Sequence, residues 1–184
     1  SSLVVALSGL LGGPRTSRRD AAKIIGQEIA EELWQALPPK MSGWKVVPVV
    51  GQRSDPIAVI GNAVEAAEIS TQPESGWSQD ALLSAISEFA STSTRNGGVL
   101  LFIDEMGKFL ENAALDGGDV YIFQQLAEIA ASSEGRLIVI GILHQTFGDY
   151  GSRLSRELRD EWTKIEGRFI DLPVNNDVIN LCIK

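Results

Sequence analysis

The chain has 184 residues, 44% of them hydrophobic and 22% charged, enough for one domain with its own core. Sixteen Lys and Arg against 24 Asp and Glu leave a net charge of −8, which argues against a broad nucleic-acid surface. The single cysteine, Cys182, excludes an internal disulfide, and no Cys/His cluster suggests zinc.

A lone cysteine fits a reducing, cytoplasmic setting. No apolar run approaches the roughly 20 residues that span a bilayer. Ser1–Leu11 is apolar but lacks the basic start of a signal peptide. The abrupt apolar beginning, without an initiator Met, suggests a piece of a longer protein.

Leu3–Leu11 is a short apolar run that fits helix or strand equally. Ser17-Arg-Arg-Asp20 looks like a capping box, with Ile25, Ile29 and Leu33 at helical spacing behind it, and Pro38-Pro39 ends that helix. Trp44–Val50 is rich in β-formers, and Pro48 suits an edge strand. Asp55-Pro56 starts a helix through Ala67, and Thr71–Gly76 is a polar loop. Ser78 caps a further helix whose Leu82, Ile86, Phe89 and Ala90 share a face, and Asn96-Gly97-Gly98 stops it.

Val99–Ile103 is continuously apolar, which implies a strand buried on both faces, as in a parallel sheet under helices. A turn at Asp116–Asp119 and a helix over Val120–Ala131 follow. Leu137–Leu143 is a second buried strand, Ser152–Lys164 a charged helix, and Phe169–Leu172 a short last strand ending at Pro173. Buried strands alternating with helices predict an α/β three-layer sandwich with a mainly parallel sheet over residues 1–173. Residues 174–184 are a tail or the start of a following lid.

Ligands in such sheets bind at the carboxyl ends of the strands. Asp104-Glu105 stands at the end of the first buried strand. There the first acid suits a hard cation such as Mg²⁺, and the second suits orientation or deprotonation of a water. The plainer reading is a helix-capping aspartate beside a solvated glutamate. His144-Gln145-Thr146 follows the second buried strand, as a phosphate sensor or as an ordinary loop. Arg168, in Gly167-Arg168-Phe169, suits a phosphate contact in its own subunit or a neighbour's, or simply closes a turn. Arg153, Arg156 and Arg159 share a face with Glu157 and Asp160, by default a solvated salt-bridge face, and Arg153 is kept as a nucleotide-binding candidate. Arg53 and Lys108 are weaker phosphate candidates.

This order of parts resembles the ASCE group of P-loop ATPases, which includes the AAA+ and STAND families. LLFIDE is similar to a Walker B strand, LIVIGILHQT to a sensor strand, and EGRFIDLP to the segment that carries arginine fingers. The resemblance spans Val99 to Pro173. It implies an ATP- and Mg²⁺-dependent hydrolase, with Asp104 beside the metal and Glu105 as base. It further implies His144 or Gln145 as sensor and Arg168 as finger, with self-association or contact with other domains of a longer chain.

No G-x-x-x-x-G-K-[ST] is present. One reading places the P-loop and first strand upstream, with Ser1–Gly12 as the helix that follows and Ser1 as a ligand of Mg²⁺ and nucleotide. The other takes Leu3–Leu7 as the first strand and Gly9-x-x-x-x-Pro14-Arg15-Thr16 as a degenerate loop. The rival to an enzyme is a P-loop-like scaffold or regulatory module without turnover. A metal-dependent hydrolase is disfavoured, because two adjacent acids and one histidine give too few ligands.

Overall fold

A computed structural model of the chain describes residues 2–92, 94–116, 120–145, 149–150 and 156–170. Within them are eight helices and three strands. Helices α1 (Ser2–Leu11), α2 (Arg15–Ile25) and α3 (Gln27–Ala36) precede strand β1 (Lys45–Val50). Helices α4 (Pro56–Ala66) and α5 (Gln79–Thr92) lead to β2 (Val99–Asp104). Helices α6 (Gly107–Asp116) and α7 (Tyr121–Ser132) lead to β3 (Leu137–Gly141), and α8 (Arg156–Glu166) follows.

The strands form one parallel sheet in the order β1-β2-β3. The central strand is buried on both faces, as its unbroken apolar sequence predicts: Val99 to Ile103 are each 1% exposed or less. Alternate residues of β2 serve two cores. Val99, Leu101 and Ile103 pack under α4 to α8, with Ile60, Leu82, Phe109, Phe123 and Trp162. Leu100 and Phe102 face the other way, toward Val4, Leu7 and Leu11 of α1 and Leu33 and Trp34 of α3. Helices therefore cover both faces of a small open parallel sheet.

Strand β1 pairs only with β2 among the named strands, so Pro48 sits where a missing N–H is tolerated. Outside it, Gly12 makes one parallel bridge to Trp44. The two clearest helix starts are capped as their sequences suggest. Asp55 accepts the Ile57 N–H at 3.1 Å, and Ser78 Oγ accepts the Ala81 N–H at 3.2 Å.

One alternative is closed and one expectation is corrected. Leu3–Leu7 is helix, inside α1, and Gly9 lies in the same helix. Gly9–Thr16 therefore does not follow a strand, which removes the degenerate-loop reading. The helix expected from Ser17 to Pro38 is two helices. It starts earlier, directly after Pro14, without a side-chain cap, and breaks at Gly26. Gly26 has φ 138°, a conformation that an L side chain rarely adopts.

Phe169 and Ile170 lie outside any strand, and Phe169 packs on the larger core. The rest of that expected strand, the turn residues 117–119 and the tail 174–184 lie outside the described residues. No helix among the described residues is long and apolar enough to cross a membrane.

Candidate functional site at the carboxyl edge of the sheet

Asp104 is the last residue of the central strand, paired in register with Val50. The two flanking segments hold the peptide beyond it. On one side the Gly51 N–H donates to the Asp104 carbonyl at 2.7 Å. On the other, the Ile142 N–H donates to the Ile103 carbonyl and the Met106 N–H to the Ile142 carbonyl, at 2.9 and 3.1 Å. The fit leaves no room at Gly51, where a Cβ would stand 2.1 Å from the Glu105 carbonyl oxygen.

Glu105 has φ 54°, in the left-handed region that non-glycine residues seldom occupy. Such conformations persist where the surroundings over-determine them, often at functional sites. The turn is also braced by the Asp104 carboxylate, whose Oδ1 accepts the Glu105 N–H at 3.0 Å. It projects the Glu105 side chain at the strand end, one third exposed.

Three polar side chains meet there. Lys108, in the first turn of α6, donates from Nζ to Glu105 Oε2. His144, three residues past the end of β3, places Nε2 3.9 Å from Glu105 Oε1. The structure thus brings Asp104, Glu105 and His144 together from two adjacent strand ends. Gln145 is exposed beside His144. Ser1, Thr146 and Arg153 lie outside the described residues.

Arg168 lies elsewhere. Its Nη2 is 2.7 Å from Glu128 Oε1, and its Nη1 donates to the Lys164 carbonyl at 3.1 Å. Glu128 is in the second half of α7, which runs toward the start of β3. The pair is therefore near the amino-terminal edge of the sheet, away from Glu105. Arg53 is closer to the carboxyl edge, where its Nε and Nη2 donate to Glu111 Oε2 of α6 at 3.2 and 2.9 Å. A shallow cavity of about 530 Å³, lined by Ser8, Gly12, Gly13, Trp44 and Lys45, opens at the start of β1 and not at this cluster.

The donor set offers two carboxylates side by side, suited to a hard cation that keeps most of its waters. Among the described residues no three His, Cys, Asp or Glu side chains converge as a closed metal cage. Sequence reasoning did not identify Gly51. Its one signal is a glycine directly after a strand; the close approach to Glu105 is non-local. Lys108 was legible as a weaker phosphate candidate, but its pairing with Glu105 was not. Set against protein-family models, curated proteins and solved structures, the chain matches none, so the geometry of this edge carries the functional reading.

Proposed function

We propose that the carboxyl edge of the sheet binds Mg·ATP and hydrolyses it, as part of a larger P-loop ATPase of the AAA+/STAND kind. The observation that carries this is the approach of His144, just past the neighbouring strand, to Glu105, which directly follows Asp104 at the end of the central strand. A bound Mg²⁺ would supply neutralisation of phosphate charge. Asp104 would hold that ion, directly or through water. Glu105 would orient the attacking water and take its proton, and His144 or Gln145 would register the γ-phosphate. Arg168, distant from Glu105 in its own chain, would serve the site of a neighbouring copy.

For a P-loop strand ahead of α1, handedness fixes the position it would take. The steps β1 to β2 to β3 proceed in one direction, with their helices on one face of the sheet. Helix α1 lies on the opposite face and leads to β1. Parallel crossovers are right-handed in about 98% of cases. A strand feeding α1 would then pair on the open side of β3. Its following loop would come to the same edge as Asp104, Glu105 and His144.

The test is Glu105→Gln in the full-length protein. ATP binding should persist while turnover falls about 100-fold or more. Turnover near the wild-type rate would remove Glu105 as base and favour a scaffold that binds nucleotide for another purpose.

A further inference from the structure

Lys108 stands in the first turn of α6, at the positive end of the helix dipole. A cation there opposes the helix dipole, so helix stability does not account for it. Its ion-pair partner among the described residues is Glu105, the carboxylate assigned above to the attacking water. The second oxygen of that carboxylate faces His144. The candidate base is thus paired with a lysine on one oxygen and faces a histidine on the other.

Lys108 and Glu105 side chains are 45% and 33% exposed. An arriving anion can therefore reach the ammonium. An exposed pair of this kind alters an equilibrium only about two- to fivefold, so it opens readily. The lysine head is a compact point charge on a flexible stem, able to turn from one oxygen to another without moving the backbone.

We propose that Lys108 is a positioning residue that exchanges partners. It restrains Glu105 while the site is free, and passes to a phosphate oxygen when a polyphosphate enters. The incoming anion thereby releases the carboxylate next to the atom it would act on. No covalent bond changes in this step; one ion pair replaces another. The exchange rests on the nucleotide reading above.

The experiment is a double-mutant cycle read by calorimetry, with Mg·ATP as probe and the full-length protein. It compares wild type, Glu105→Gln, Lys108→Met and the double variant. Glu105→Gln removes the competitor for the lysine and should tighten binding about two- to fivefold. Lys108→Met should weaken it by a similar factor or more, and Lys108→Arg should recover most of the loss. In the double variant the gain from Glu105→Gln should vanish, because no lysine remains to be freed.

If that gain survives on the Lys108→Met background, it reflects simple carboxylate–phosphate repulsion, and the exchange is wrong. Wild-type affinity in Lys108→Met also overturns it. Either result leaves the nucleotide reading standing. Binding by none of the four proteins would remove the nucleotide reading together with the exchange.

Discussion

Charge meets the fold in two contrasting ways. At the corner between α1 and α2, Arg18 is 4% exposed. Its guanidinium donates to the Gly13 carbonyl from Nη1 and to the Lys40 carbonyl at 2.9 Å from Nη2. Burial, and then the nearby Arg15, lower its pKa from the ordinary value. This cation is spent on neutral carbonyls and ties the chain before β1 to the start of α2. At the carboxyl edge, Glu105, Lys108 and His144 are exposed or partly exposed, with Lys108 bonded to Glu105 and His144 facing its other oxygen. Their backbone support is tight, but their side chains remain free to change partners. A buried charge bonded to backbone is architecture; a half-exposed cluster on a braced turn is available for chemistry.

Substitutions at the two regions should separate along that line. The largest expected effect on folding is at the edge. Gly51→Ala forces a methyl into the Glu105 carbonyl and should cost about 2–4 kcal/mol in denaturant unfolding. It should also lower ATP turnover per folded molecule, since the peptide it displaces carries Glu105. Unfolding and activity close to wild type would show that the edge is looser than its hydrogen bonds imply.

The corner comes next. Arg18→Met leaves two carbonyls without their donor and should cost about 1–3 kcal/mol. Turnover per folded molecule should not change. A selective loss of turnover would move Arg18 into the site and dissolve the contrast.

The smallest folding effect is at Arg168. Its pair with Glu128 is partly exposed, so Arg168→Ala should cost less than about 1 kcal/mol. Its effect on hydrolysis should instead grow as protein concentration permits self-association. A rate equal to wild type at all concentrations would remove it as a finger.

The parts of the fold that depend on local pattern were legible in the sequence. Val99–Ile103 announced a buried central strand because five apolar residues in a row leave no solvent face. Asp55 and Ser78 marked helix starts because a short oxygen-bearing side chain can bond the first free N–H groups. What stayed open or failed was ambiguous in period or depended on distance. Leu3–Leu11 is too short and uniformly apolar for spacing to choose between helix and strand. Gly26 sits inside a continuous helical pattern, and its break shows only in its φ.

The site divided the same way. Asp104, Glu105 and His144 could be placed at strand ends from sequence, because strands alternate with helices. That His144 faces Glu105 while Arg168 faces Glu128 follows from the direction of α7 and from strand order, which no local pattern encodes. The Glu105 turn, braced by Gly51 on one side and Ile142 on the other, needed all three strands in register.

The central claim is that Asp104-Glu105 is the metal-and-water half of a nucleotide site. It is tested most directly by the magnesium dependence of ATP binding to the full-length protein and to its Asp104→Asn variant. Magnesium should tighten ATP binding to the wild type. The variant should still bind ATP but lose most of that magnesium increment, because an amide oxygen is a weaker ligand than a carboxylate. Magnesium tightening equal in both proteins, or no ATP binding by either, would contradict the assignment of this edge.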